Sequence, residues 1–266
     1  MQQQKKQAAT KDSVTNLQRT ARYWATGQDR FTQCLDKHTE SPMDIKVFQT
    51  GILSVNTYVV PLCDNYVFVV DPAGCSLSGD SYTVVEYLRK NNLICVAVVL
   101  THGHFDHISG ISHIIEAFPR ARIAIHAKDA QELLNPPGDM NLFTLQNFGI
   151  PDMAEVLQNQ PAPTDLLSGT ETLGVLAQDT QPIGLKDALS QWQVLPTPGH
   201  SPGSICLYNE TEKVLISGDT LFADGYGRTD LPGGNENLIG RSLALLEQDI
   251  PTGTYLCPGH GRRIVK

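Results

Sequence analysis

The segment THGHFDH, residues 101–107, carries three imidazole rings and one carboxylate within six consecutive positions. It follows an almost unbroken apolar run, and such a run predicts a strand that is buried on both faces. On an irregular turn, this spacing can direct His102 and His104 to one centre and Asp106 and His107 to a second centre nearby. Neutral imidazole and carboxylate together suit zinc, iron, manganese or cobalt. The segment therefore predicts a metal site at the end of a buried strand.

Three more side chains of these types follow predicted strands later in the chain. His200 lies in TPGHSPGS and His260 lies in PGHG, where proline and glycine fix the direction of the backbone. Asp219 lies in ISGDTLF, and its carboxylate has two oxygens that could bridge two cations. Because ligands presented from strand ends make a rigid site, these residues are further candidate metal ligands.

Short β-branched and aromatic runs alternate with helical patterns along the first half of the chain and return near its end. Strands are predicted at Ile45–Phe48, Thr57–Val60, Tyr66–Val70, Ile94–Leu100, Arg122–His126, Gln193–Leu195, Ser204–Leu207, Val214–Ser217 and Tyr255–Leu256. Helices are predicted at about Val84–Leu88, Ile108–Phe118, Lys128–Leu134 and Leu238–Gln248. This order predicts an α/β protein whose sheet is covered by helices.

Composition restricts the class of protein further. The chain has 266 residues, of which 41% are hydrophobic and 18% charged, enough apolar material for a well-buried core. No apolar run reaches the roughly 18 residues of a membrane span, and the first residues are polar, so we expect neither a span nor a secretory signal peptide. The net charge of -8 argues against a nucleic-acid partner. The six cysteines form no CxxC pair, which indicates reduced thiols in a cytoplasmic protein.

The charge distribution divides the chain near residue 43. Residues 1–40 hold seven basic and four acidic side chains, whereas the rest holds thirteen and twenty-four. Apolar residues between Val14 and Leu35 follow alternating spacings of three and four, which predicts an amphipathic helix. We predict an N-terminal extension, 1–43, whose helix packs on the main domain, 44–266, or on a second copy in a homo-oligomer. Membrane contact and an organellar targeting peptide are the alternatives for this segment.

Residues 135–190 interrupt the alternation of strands and helices. Prolines are scattered through this segment among short apolar clusters, with no long periodicity. Such a stretch predicts an insertion in the main domain. Leu142, Phe143, Phe148 and Ile150 are its candidate pocket residues, with packing as the alternative role.

The pattern HxHxDH at residues 102–107, followed by His200, Asp219 and His260, resembles the metallo-β-lactamase superfamily. The resemblance covers about residues 44–266 and implies a four-layer αββα sandwich with the metal site at the edge of the sheets. It implies two divalent metal ions, with zinc as the first expectation and iron or manganese as alternatives. The resemblance assigns His102, His104 and His200 to the first metal, Asp106, His107 and His260 to the second, and Asp219 to the bridge between them.

Retention of both Asp106 and Asp219 resembles the glyoxalase II, lactonase and nuclease branches, because the true β-lactamases usually replace one of these aspartates. The segment GDTLFADGYGRTDLPGG, residues 218–234, is similar to short glyoxalase II-like hydrolases and to persulfide dioxygenases. In this resemblance Arg228 corresponds to a basic residue that contacts the tripeptide in relatives that hydrolyse glutathione thioesters. The alternative is that Arg228 pairs with Asp230 and fixes the loop. Tyr226 is a second candidate substrate-binding residue.

The resemblance implies a small-molecule substrate and a hydrolytic mechanism. Two cations would share a solvent molecule and lower its pKa from 15.7 towards about 7, so that a bridging hydroxide attacks a thioester while Asp106 and Asp219 act as catalytic residues. We therefore expect a glyoxalase II-like thioesterase for a hydroxyacylglutathione-like substrate. A mononuclear iron persulfide dioxygenase that uses His102, His200 and Asp219 is the main alternative, followed by a lactonase or another esterase. Glyoxalase II with its full domain set adds a C-terminal helical domain, whereas this sequence ends six residues after His260, so we expect the 135–190 insertion to cover the site instead.

Overall fold

Two mixed β-sheets, each covered by helices on its outer face, form the architecture of the computed structural model. The structure describes residues 43–179, 181–182 and 184–266, so the amphipathic helix predicted in the N-terminal extension lies outside the described residues. The first sheet has the order β1-β2-β3-β4-β5-β6, and the second has the order β11-β10-β9-β8-β7. The predicted αββα sandwich is confirmed.

The first sheet begins as an antiparallel meander and continues with parallel strands. Its strands are β1 (Lys46–Thr50), β2 (Val55–Pro61), β3 (Tyr66–Val70), β4 (Ile94–Val99), β5 (Arg122–His126) and β6 (Asp165–Leu167). Its helices are α1 (Thr83–Lys90), α2 (Phe105–Ile108), α3 (Ile111–Ala117), α4 (Asp139–Phe148) and α5 (Asp152–Gln158). A short 3-10 helix, Ala130–Leu133, follows β5.

The second sheet contains the remaining strands, and the helix Glu236–Asp249 packs on its outer face. Its strands are β7 (Trp192–Pro196), β8 (Ile205–Asn209), β9 (Val214–Gly218), β10 (Tyr255–Pro258) and β11 (Ile264–Val265). The helices of this half are α6 (Leu185–Ser190), α7 (Glu236–Asp249) and a 3-10 helix, Leu173–Leu176. No helix among the described residues is long and apolar enough to cross a bilayer.

The period-two alternation of the strands separates the apolar layers. In β3, Val67 and Val69 pack in the cluster beneath the outer helices, whereas Phe68 and Val70 pack between the two sheets. Trp192 of β7 meets Phe68 from the opposite sheet with ring centroids 5.3 Å apart. Because both faces of the central strands are buried, these strands are apolar throughout.

Two predicted helices differ from the observed ones. The run predicted as one helix from residue 108 to 118 is divided into α2 and α3 at Gly110, where a Cβ would lie 2.7 Å from the carbonyl oxygen of Gly74. The helix predicted over 128–134 is the 3-10 helix Ala130–Leu133, because its seven-residue pattern is too short to distinguish the two geometries.

The segment predicted as an insertion forms defined elements in its described part. It supplies α4, α5, the edge strand β6, the second 3-10 helix and α6. Ile150 and Leu157 pack in the outer core of the first sheet, whereas Leu173 and Leu189 pack between the sheets. Both apolar layers therefore use side chains from this segment.

Candidate metal centre

The seven candidate ligands meet where strands of both sheets end. The segment Thr101–His107 follows β4, and its last part forms the first turn of α2. His200 follows β7, Asp219 follows β9 directly, and His260 follows β10. The topology thus brings side chains that are up to 158 residues apart in sequence to one edge of the sandwich.

Three groups of side chains at this edge have the spacing of metal ligands: two consist of candidate ligands alone, and the third combines Asp71 with His102 and His107. The three-histidine cluster consists of His102, His104 and His200, and the mixed cluster consists of Asp106, His107 and His260. Within each cluster the ligand atoms lie within 4.8 Å of one another. These are the two sets that the family resemblance assigns to the two metals.

Asp219 lies between the clusters. Its Oδ2 is 3.6 Å from His200 Nε2 in one cluster and 3.6 Å from His260 Nε2 in the other, and its Oδ1 is 3.4 Å from His107 Nε2. Gly259 permits this packing, because a Cβ at that position would overlap Asp219 Oδ1. The geometry fits the bridging carboxylate that the sequence analysis predicts.

The orientations of His200 and His107 are set by the ring nitrogen that does not face the centre. His200 Nδ1 donates to the carbonyl oxygen of Arg228 at 2.8 Å, so its Nε2 carries the lone pair that a metal needs. His107 Nδ1 lies 2.9 Å from Asp71 Oδ2 and donates to it, which leaves Nε2 facing Asp219. A carboxylate or carbonyl behind a histidine is the usual arrangement at metal sites.

Asp71, which the sequence analysis did not single out, organises the rear of the site. It directly follows β3, its φ is positive at 49°, and it is 1% exposed. Besides His107, it accepts hydrogen bonds from the backbone N–H of Thr101 at 2.8 Å and from its hydroxyl at 2.6 Å. Because the Thr101 hydroxyl proton is used in that way, its oxygen accepts from His102 Nδ1 at 3.1 Å. The signal that could have found Asp71 is its place after an apolar strand that neighbours β4.

The fit of the site to metal ions rests on polar atoms that have no partner. His102 Nε2 and Asp219 Oδ1 are buried and make no hydrogen bond. Buried polar atoms are almost always paired, so unpaired lone pairs that converge on one centre are the donor set that a divalent cation satisfies. The residues present fit two such ions.

The two clusters differ in how their surroundings shift the pKa values of their histidines. Burial lowers the pKa of His104 to about 3 and lowers the pKa values of His102 and His200. Burial also opposes protonation of His107 and His260, but the Asp219 and Asp106 carboxylates outweigh it and raise both pKa values. The three-histidine cluster is therefore neutral at pH 7, whereas the carboxylates shift the two histidines of the mixed cluster towards the imidazolium form.

The two candidate substrate residues have partners within the chain. Two guanidinium nitrogens of Arg228, Nε and Nη2, donate to the Asp230 carboxylate at 2.6 Å, and the guanidinium lies 5.7 Å from the centre of the Phe148 ring. The hydroxyl of Tyr226 donates to Glu236 at 2.9 Å, and the side chain is exposed. Substrate contact by Arg228 and Tyr226 stays a prediction.

The four candidate pocket residues of the 135–190 segment occupy different environments. Leu142 and Phe143 of α4 are exposed, Phe148 is half-buried against Arg228, and Ile150 is buried in the outer core. Packing is therefore the role of Ile150.

A four-layer sandwich with paired histidine and carboxylate clusters at its strand ends defines a class of metal-dependent hydrolases. The family model described as the metallo-beta-lactamase superfamily matches residues 50–260, and the chain belongs to this superfamily. The "Probable metallo-hydrolase YqgX" of Bacillus subtilis is 30% identical over 212 residues, which cover 79% of this chain and 87% of that protein.

Two solved structures share the fold and more than a quarter of the aligned sequence. The crystal structure of BLEG-1, described as a B3 metallo-β-lactamase, superposes with a TM-score of 0.68 and 29% identity, covering 83% of this chain and 93% of that chain. The crystal structure of TTHA1623 in a di-iron-bound form superposes with a TM-score of 0.64 and 26% identity, covering 83% and 94%.

Proposed function

We propose that this protein is a dinuclear metallohydrolase that cleaves thioesters of the hydroxyacylglutathione type. The observation that carries the proposal is the position of Asp219, whose two oxygens face histidines of both clusters at 3.4–3.6 Å. Its relative YqgX is named a probable metallo-hydrolase, and TTHA1623 binds two irons, which supports a dinuclear hydrolytic centre. The thioester substrate is supported by the resemblance of residues 218–234 to glyoxalase II-like hydrolases.

The chain's own side chains fit hydrolysis without a covalent intermediate. When bound, two divalent cations supply Lewis acidity and lower the pKa of a water molecule to about 7. Asp106 Oδ2 lies 3.4 Å from His260 Nε2 and orients the His260 ring on the exposed side of the site. A thiolate leaving group has a conjugate acid of pKa about 8.5, so it leaves without a general acid. Cys257 is no nucleophile here, because burial raises the pKa of its thiol to about 12.

Solvent exposure indicates where the substrate enters. The side chain of His260 is 27% exposed, whereas the side chain of His107 behind it is 0% exposed. The ring of Phe222 stands edge-on to His260 with the centroids 6.3 Å apart. We propose that the thioester approaches over His260 and Phe222, with its carbonyl directed to the space between the two clusters.

Metal content is the first test of the proposal. Protein purified without added metal should contain close to two metal ions per chain by inductively coupled plasma mass spectrometry. One iron per chain would favour the persulfide dioxygenase, for which oxygen uptake with glutathione persulfide is the decisive assay. The same preparation should hydrolyse S-lactoylglutathione, and failure on this and other thioesters would contradict the proposed substrate class.

A β-lactam is the matched comparison substrate, because BLEG-1 is described as a B3 metallo-β-lactamase. We expect nitrocefin hydrolysis, if any, to be far slower than thioester hydrolysis at equal enzyme concentration. The reverse order would assign this chain to the lactamase branch despite its two aspartates.

The Arg228–Asp230 pair is tested by two alanine variants, Arg228→Ala and Asp230→Ala. The two side chains form a bidentate ion pair, and either variant removes it. If the pair only stabilises the loop, we expect both variants to lower kcat to the same extent. If Arg228 instead holds a substrate carboxylate, only Arg228→Ala will raise KM, and Asp230→Ala will lower it. Steady-state kinetics on S-lactoylglutathione separates the two roles.

A further inference from the structure

Asp129 lies on the turn between β5 and the first 3-10 helix, and it is 0% exposed. Its carboxylate accepts three hydrogen bonds. Oδ2 accepts from the backbone N–H of Gly103 at 3.0 Å and from the hydroxyl of Ser201 at 2.6 Å, and Oδ1 accepts from the backbone N–H of Gly203 at 2.6 Å. A buried carboxylate is costly unless such donors surround it, and these three donors stabilise Asp129 in its buried position.

The three donors belong to the two loops that carry the three-histidine cluster. Gly103 stands between His102 and His104, and Ser201 directly follows His200. The two loops come from different sheets, because one follows β4 and the other follows β7. Asp129 therefore connects the backbones on both sides of one ligand set without occupying a ligand position.

The packing around Asp129 requires glycine at the donor position nearest to it. A Cβ at Gly203 would lie 2.6 Å from Asp129 Oδ1, so a side chain there would displace the carboxylate. A Cβ at Gly103 would lie 2.9 Å from the Cβ of Glu132, in the same 3-10 helix. Glycine at these two positions thus allows the turn to approach both loops closely.

We propose that Asp129 is a positioning residue that sets the distance between the His102/His104 loop and the His200 loop, and so prepares the three-histidine cluster for its metal. This inference rests on the metal-binding part of the proposed function and not on the thioester substrate. A chain that binds zinc but cleaves no thioester would contradict the proposed function and leave this inference intact.

The test substitutes Asp129→Asn, which keeps the shape but turns one oxygen into an N–H donor. That amide nitrogen then faces a backbone N–H, either of Gly103 or of Gly203, and one loop loses its attachment. The matched control is Asp80→Asn. Asp80 also accepts from two backbone N–H groups, Gly51 and Cys75, and from a serine hydroxyl, but it holds none of the ligand loops.

The readout is the dissociation constant of zinc alone, measured by competition with a chromophoric chelator on variants whose circular dichroism matches that of the wild type. We expect Asp129→Asn to raise the dissociation constant of the tighter zinc ion about 10–100-fold, the usual cost of losing a residue behind the ligands, and Asp80→Asn to change it less than about twofold. An unchanged constant in Asp129→Asn, or an equal rise in both variants, would overturn the proposal.

A second measurement uses the unaltered protein, in case Asp129→Asn does not fold. Amide hydrogen exchange by NMR on metal-free, isotope-labelled protein reports on Gly103 and Gly203 directly. If Asp129 holds these loops before any metal binds, both amides will be protected like those of the neighbouring strands. Exchange at the rate of an unstructured chain would show that the metal, and not Asp129, sets the loops.

Discussion

The two ligand clusters lie side by side, share Asp219, and yet differ in ligand type, burial and charge. The three-histidine cluster offers neutral ligands that are all buried. The mixed cluster contains a carboxylate and the most exposed of the seven candidate ligands, His260, and carboxylates raise the pKa of both its histidines. Because metal binding requires deprotonated ligands, protons compete with a cation more strongly at the mixed cluster than at the three-histidine cluster. We therefore propose that the three-histidine cluster retains the first metal and that the mixed cluster faces the substrate.

The largest effect is expected from Asp219→Ala, because this substitution removes the carboxylate that lies between the two clusters. Loss of a residue behind the ligands costs about 10–100-fold in metal affinity or activity, so loss of this shared carboxylate should lower kcat/KM by more than about 100-fold. The measurement is steady-state hydrolysis of S-lactoylglutathione by metal-loaded protein. A variant with two bound metals and near-full activity would remove Asp219 from the bridging role.

His260→Ala separates the clusters by stoichiometry. The substitution removes one of the three ligands of the mixed cluster and leaves the three-histidine cluster complete. We expect zinc to fall from about two ions per chain to about one, since the remaining side chains still form a full three-ligand site. His200→Ala is the matched variant in the other cluster, and inductively coupled plasma mass spectrometry measures both. If His260→Ala loses both ions while His200→Ala keeps one, the assignment of the first metal is reversed.

The sequence predicts the meeting of the seven candidate ligands because each lies in the segment that follows a strand, and strand ends of a sandwich converge at one edge. It does not predict their supports. Asp71 accepts from three groups around the site, yet only its place after an apolar strand marks it. Asp129 lies in the turn before a short 3-10 helix, and its partners Gly103 and Gly203 are far from it along the chain. Such partners are set by tertiary packing, and no local period encodes them.

Asp71→Asn sharpens the comparison between the clusters. The amide oxygen can still take the place of Oδ2 and accept from His107 Nδ1 and from the Thr101 hydroxyl, but the amide nitrogen then faces the backbone N–H of Thr101, which loses its acceptor. We expect the weaker zinc ion to lose affinity about 10–100-fold, with a smaller change for the tighter ion. Chelator competition provides both constants. A loss confined to the tighter ion would show that Asp71 acts through Thr101 and His102 and not through His107.

The smallest effect concerns Glu132, which connects α4 to the three-histidine side of the site. Its carboxylate accepts from the backbone N–H groups of Met140 and Asn141 at 3.3 and 3.0 Å, and the Asn141 side chain donates to the carbonyl oxygen of Gly103 at 2.9 Å. Burial raises the pKa of Glu132 to about 7, above the ordinary value of about 4.3. Between these values the native state binds more protons than the unfolded state, so the contribution of Glu132 to stability falls as the pH rises through this window.

Glu132→Gln carries no charge at any pH and should therefore abolish that dependence, at a constant cost because its amide nitrogen faces the N–H of Met140 or of Asn141. We expect the free energy of unfolding of the metal-free wild type, relative to that of Glu132→Gln, to fall as the pH rises from about 5 to about 8. Urea unfolding of the two proteins in parallel measures the difference, in which the titration of the shared histidines largely cancels. A difference that stays constant with pH would mean that α4 docks on the three-histidine loop without help from the protonation of Glu132.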